Sequence, residues 1–183
     1  MKKIAATLLA GLALMAVVAT PASAGTAAGN AAGKASRAAD PPNGVTLKFV
    51  NAWSNKCMNI PSGSTAQGAK ITQFTCGTWW DHYWVLEPEP LSSSFYRIRN
   101  YGTNQCLAVP GGSMERGIQL IQWPCGTYED HHWRFVRHAD GKYWVINKHS
   151  GQCLAVMGGD WADNAPVIQW PCGSWRDHFW GIG

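Results

Sequence analysis

The residues of this chain best suited to chemistry recur three times in one spelling. Three positions after a cysteine stands Trp79, Tyr128 or Trp175, and two positions further on stands Asp81, Asp130 or Asp177. Each pair lies in a Cys-Gly-[Thr/Ser]-[Trp/Tyr]-x-Asp stretch that should form a surface loop. An aromatic ring packs against axial C–H groups while a carboxylate accepts hydrogen bonds from paired hydroxyls, so the combination suits a saccharide. A second aromatic set, Phe74, Trp123 and Trp170, precedes the same cysteines by two residues. Structural readings stand beside these. The three Asp can cap the turn by accepting backbone N–H bonds, and Trp123 and Trp170 can belong to the core as readily as to a binding platform. His82, His131 and His178, which follow the three Asp, read as local hydrogen-bonding residues.

The Asp-His adjacency also raises general acid–base catalysis. Neighbouring residues of a strand point to opposite faces, so the pair is not a dyad by default. Catalytic centres need different groups converging on one point, whereas here one pair is copied three times. The chain has no nucleophile elbow, no zinc-ligand pair at helical spacing and no phosphate-binding loop. A non-catalytic protein without a cofactor or metal is expected.

The elements that must position these residues follow from the repeat. Six cysteines fall at 57, 76, 106, 125, 153 and 172, with a separation of 19 positions within each successive pair. Around them the text recurs as KCMNI, QCLAV and QCLAV, then as TQFTCGTWWDHYW, IQWPCGTYEDHHW and IQWPCGSWRDHFW. Three tandem units result, over about 45–90, 93–139 and 141–183. Short aromatic and β-branched runs at 47–50, 96–98 and 143–146 read as strands, each followed by an Asn six residues before its cysteine (Asn51, Asn100, Asn147) and a turn. About four strands per unit give twelve, with one strand ending at the second cysteine and one beginning at Trp84, Trp133 or Trp180. Leu86, Phe135 and Ile182, two residues beyond, share a face with those tryptophans, which are therefore core candidates. Three units are too few for a propeller. An all-β, pseudo-threefold β-trefoil is expected, folding as one body because a unit this short cannot bury enough surface alone.

Threefold symmetry reduces the cysteine pairings to two. Either each unit is bridged internally (Cys57–Cys76, Cys106–Cys125, Cys153–Cys172), or each second cysteine joins the next unit's first. The constant spacing favours the first, at roughly 3 kcal/mol per bridge in the chain-entropy model. Without any CxxC pair, a thiolate metal cluster suits the pattern less well.

Lys2 and Lys3, the apolar or small run from Ile4 to Ala19 and the Ala22-Ser23-Ala24 site read as a secretory signal over 1–24. An Ala/Gly-rich linker over 25–44 follows, then the domain at 45–183. The product is expected outside the cell, without a membrane span and as a monomer. Within 45–183, five Lys and six Arg face ten Asp and Glu. Such a balance lacks the cationic footprint that nucleic acid requires.

The threefold CLxV, the Gly-rich loop, the Q-W-x-C stretch and the terminal His82-Tyr83-Trp84, His131-His132-Trp133 and His178-Phe179-Trp180 resemble the ricin-type β-trefoil lectins and their Q-x-W motif. Carbohydrate-binding modules of secreted bacterial enzymes are grouped with these lectins. The resemblance covers 45–183 and implies binding of galactose-type or plant and cell-wall sugars in up to three shallow sites. The family's Asp two residues after the first cysteine is here Asn59, Ala108 and Ala155. Its stacking aromatic corresponds to Phe74, Trp123 and Trp170, and its N-Q-x-W Asn to Asp81, Asp130 and Asp177. The family's Gln four before the second cysteine is Thr72, Ile121 and Ile168, with Gln73, Gln122 and Gln169 one residue later, where alternation turns them away from the aromatic. Asn59 with Asp81 makes the first unit the strongest candidate for hydroxyl recognition. The two Ala also fit another outcome, a protein-binding trefoil of inhibitor or toxin-associated type whose sugar sites have decayed.

Overall fold

The structure, a computed structural model, describes residues 44–90 and 92–183; the segments expected to be an export signal and, but for Gly44, a linker lie outside the described residues. The described chain folds into β1 (Thr46–Leu47), β2 (Phe49–Asn51), β3 (Cys57–Asn59), β4 (Thr72–Phe74), β5 (Trp84–Glu89), β6 (Ser92–Asn100) and β7 (Gln105–Ala108). It continues through β8 (Ile121–Pro124), β9 (His132–Arg137), β10 (Tyr143–Asn147), β11 (Cys153–Val156), β12 (Val167–Trp170) and β13 (Trp180–Ile182). Six 3-10 turns, two per repeat, complete the regular structure, and no α-helix occurs among the described residues.

Antiparallel pairing runs from β1 to β5, β6, β9, β10, β13 and β2, closing a barrel on itself. Thirteen strands stand where twelve are expected because the first changes partner midway. Leu47 pairs with Trp84 and Phe49 with Ile182, and between them Lys48 exchanges two backbone hydrogen bonds with Gly183 (2.7 and 3.2 Å). The hairpins β3–β4, β7–β8 and β11–β12 are joined to one another by bridges at Lys70–Ile121, Thr72–Pro166 and Gln119–Ile168. Barrel plus three hairpins is the β-trefoil that the triplicated text predicts.

Trp84, Trp133 and Trp180 are fully buried, as their spacing predicts, with Leu86 fully buried and Phe135 and Ile182 packed against the same core. A buried indole N–H needs an acceptor. Each donates to a hairpin carbonyl of its own repeat, Met58, Leu107 and Leu154, at 3.1, 3.1 and 3.0 Å. The cystines close within each repeat, Cys57–Cys76, Cys106–Cys125 and Cys153–Cys172. The strands leading to the second cysteines end one or two residues before them.

Two sets of buried amides tie the repeats together. Asn51, Asn100 and Asn147 each accept two turn N–H groups at Oδ1, and their Nδ2 donates to the carbonyl of Asp177, Asp81 and Asp130 in the repeat before. Asn51 to Asp177, at 2.8 Å, thereby joins the first repeat to the last. Gln73, Gln122 and Gln169 are fully buried and donate to a loop of another repeat. They point away from the aromatics two strand faces apart, as alternation predicts.

Candidate functional site

Each repeat opens one shallow cleft between two loops. One wall is the Gly-rich 3-10 turn after the first cysteine strand: Pro61–Gly63, Pro110–Gly112 or Met157–Gly159. The facing wall is the turn carrying the Asp-His pair, and the floor comes from the hairpin. The clefts measure about 400, 810 and 640 Å³ in the first, second and third repeats. Phe74, Trp123 and Trp170 line them and lie outside the buried core. Trp79, Tyr128 and Trp175 are 56, 66 and 60% exposed.

Strand alternation does not apply to the Asp-His pairs. They sit in the 3-10 turns Trp80–His82, Glu129–His131 and Arg176–His178, where three residues per turn leave adjacent side chains about a third of a turn apart and not on opposite faces. His Nε2 stands 3.7, 3.5 and 3.6 Å from Asp Oδ2 in the three repeats. In the first two, His Nδ1 accepts the N–H of Gly77 and Gly126, at 3.4 and 3.2 Å, which leaves the proton on Nε2 facing the carboxylate. Burial, the dominant influence, holds all three histidines below the ordinary 6.5 despite the adjacent Asp. Each is therefore neutral at pH 7 and stands beside its Asp without a short hydrogen bond to it, and His178 Nδ1 has no partner among the described residues. Burial also raises the Asp177 carboxyl above the ordinary value. The exposed ring leans on the same histidine, at centroid distances of 5.3, 5.5 and 5.3 Å.

The clefts differ in what their carboxylate faces. In the first, Asn59 Nδ2 donates to Asp81 Oδ2 (3.4 Å), and Thr72 donates to Asn59 Oδ1 (2.8 Å). Both Asn59 and Asp81 are buried. Ala108 with Ile121, and Ala155 with Ile168, replace that polar pair in the other two. Asp130 and Asp177 consequently face their histidine and no other side-chain donor among the described residues.

The rims carry a further difference that the motifs do not announce. The residue before each Asp meets a residue of the next repeat: Trp80 with Gly102, Glu129 with His149, Arg176 with Trp53. Trp80 lies against both Gly63 and Gly102, where added methyls would stand 2.9 and 1.9 Å from its ring. That ring narrows the first cleft. His149 Nδ1 is 3.8 Å from Glu129 Oε2, and the Arg176 guanidinium lies 5.6 Å over Trp53. Among the described residues, no group of three or more His, Cys, Asp or Glu is placed to hold a metal ion. Nor is any helix long and apolar enough to cross a membrane.

A family model described as ricin-type beta-trefoil lectin domain-like matches residues 80–170. Over that stretch the chain is similar to the ricin-type β-trefoil lectin domains. Solved structures agree on the fold. A designed threefold-symmetric protein, ThreeFoil, is 26% identical over 75% of this chain and 96% of its own, with a TM-score of 0.72. An exo-beta-1,3-galactanase from Clostridium thermocellum is also 26% identical, over 78% of this chain but only 30% of its own, at 0.73. The Rhizoctonia solani agglutinin shares the lectin fold at 14% identity, over 79% of this chain and 96% of its own, at 0.69. No protein of curated function matches the sequence.

Proposed function

We propose that the protein is an exported, non-catalytic lectin whose second and third clefts hold galactose-type or cell-wall saccharides. The observation that carries this reading is the pairing of a sheltered carboxylate with an exposed ring. Asp130 and Asp177 each stand beside a buried histidine and keep acceptor capacity toward the cleft, with Tyr128 and Trp175 next to that histidine. A half-buried acceptor with unused capacity favours a hydroxyl donor, and the ring covers C–H groups on the same ligand. The first cleft ranks last, reversing the order the sequence favours, because Asn59 and Asp81 bond each other and Trp80 narrows the opening. The similarity to a galactanase over 30% of that enzyme's length supports galactan as the first ligand to try.

One stacked ring and two or three hydrogen bonds give about −4 kcal/mol per cleft, near millimolar, and several clefts on one glycan gain by avidity. The test is titration of galactose and galactan oligosaccharides, with a glycan array. Asp130→Asn combined with Asp177→Asn should weaken binding at least about tenfold in a protein that still folds, while Asp81→Asn leaves binding near wild type. No binding to any glycan, with a protein partner captured instead, overturns the lectin reading in favour of a decayed, protein-binding trefoil.

A further inference from the structure

Two exposed tryptophans lie outside the threefold pattern and meet beside one cleft only. Trp53 follows Asn51 by two residues, and the equivalent positions after Asn100 and Asn147 are Gly102 and His149. Trp161 sits between the two carbonyls that Gln73 holds, those of Asp160 and Ala162. The residues so framed by Gln122 and Gln169 are Thr65 and Met114. Neither tryptophan is thus part of the repeat's own architecture. Their rings nevertheless touch, 5.1 Å apart and edge to face, although Trp53 comes from the first repeat and Trp161 from the third.

Their place adjoins the third cleft at Gly159. Met157, Gly158 and Gly159 line that cleft, and Trp53 Nε1 donates to the Gly159 carbonyl at 3.0 Å. A methyl on Gly159 would stand 3.7 Å from Trp53 Nε1 and 3.9 Å from Asp177 Cγ. Only the bare edge of a glycine separates the candidate carboxylate from the indole pair. The pair is also held in place. Gln73 fixes the backbone on both sides of Trp161, the Ala162 N–H bonds Asp160 Oδ1 at 2.9 Å, and Arg176 backs Trp53. Yet Trp161 remains 59% exposed and Trp53 38%. Pre-positioned aromatic surface left open to water is what a stacking subsite needs, since little ordering remains to be done on binding.

We propose that the third cleft continues past Gly159 onto Trp53 and Trp161, which form a second subsite for the next sugar ring of an oligosaccharide held at Asp177. The inference rests on the lectin reading and adds to it a ligand class, oligosaccharide chains of two or more units. The first and second clefts, with Gly102 and Thr65 or His149 and Met114 at the same positions, hold single sugars or chain ends.

The experiment is isothermal titration of the full chain with galactose and with β-1,3-linked galacto-oligosaccharides of two to four units, repeated with glucose and xylose ladders. Affinity should rise about tenfold from one unit to three. Trp161→Ala should abolish that rise and leave monosaccharide affinity within twofold. Asp177→Asn should abolish it too, while Asp130→Asn should not. A flat ladder, or a rise that survives Trp161→Ala, overturns the second subsite and leaves the lectin reading standing. Failure of every ladder at every length overturns both.

Discussion

Gly77, Gly126 and Gly173 each lie beneath the exposed ring two residues ahead. A methyl would stand 2.0 Å from Trp79, 2.8 Å from Tyr128 and 2.2 Å from Trp175. The backbone at these glycines is ordinary, so the side chain is excluded by the ring and not by strain. Gly173→Ala should therefore swing Trp175 off His178 into solvent and weaken third-cleft binding several-fold. Because the ring is exposed, stability should stay within about 0.5 kcal/mol of wild type. Titration alongside urea denaturation checks both halves, and a large loss of stability would mean that the ring is structural. At this scale the sequence was legible where it repeated. Rings, carboxylates and histidines could be named from three aligned copies, and all of them line the clefts or stand beside them. Trp53, Trp80, Glu129, His149, Trp161 and Arg176 could not, because their meaning lies in how the copies differ and, for Trp53, Trp161 and Arg176, in contacts across more than a hundred residues of chain. Comparing the repeats column by column, and asking where tryptophan replaces a small residue, was the signal available for Trp53.

Elements were read well where side-chain period carries information and poorly where it does not. Alternation separates Gln169 from Trp170, and the structure places the amide inside and the ring in the cleft. Three residues of 3-10 turn offer no period to detect, so the Asp-His pairs were assigned strand geometry that they do not have. The partner change at Lys48 was equally hidden, since it depends on where the last strand arrives. The buried glutamines invite a prediction of their own. Gln169 donates to Ser113 and Glu115 at 2.8 and 2.7 Å and accepts from Ser150 at 2.7 Å. Gln169→Ala strands two carbonyls of the 113–115 loop and the Ser150 hydroxyl, which should lower stability by about 2 kcal/mol. The same change should raise amide exchange at residues 113–116, a local readout that cavity formation alone would not give. Unchanged exchange there would mean that the loop holds itself.

Across the whole molecule, threefold repetition turns one local titration into a property of the fold. His82, His131 and His178 are buried, and burial holds each below the ordinary 6.5. The unfolded chain takes up these protons at higher pH than the folded one. Stability from this source is therefore complete above 6.5 and falls as pH drops below 6.5 toward the lowered values. The raised carboxyl of Asp177 acts in the opposite sense, because the folded state holds its proton to higher pH than the unfolded chain does, and so it offsets part of the His178 effect. His82 and His131 carry their loss without such an offset. Asn100 and Asn147 bond the backbone of the neighbouring Asp81 and Asp130, so charging those turns loosens contacts between repeats and not only within them. Urea midpoints should decrease from pH 7.5 to 5.5 in a single cooperative transition. Replacing both histidines by glutamine, the residue of the Q-x-W motif they stand in for, keeps a neutral donor and should flatten that profile. A midpoint insensitive to pH in the parent protein, or a slope unchanged in the double variant, would show that the turns accept the extra protons without strain and that the acid response of the trefoil lies elsewhere.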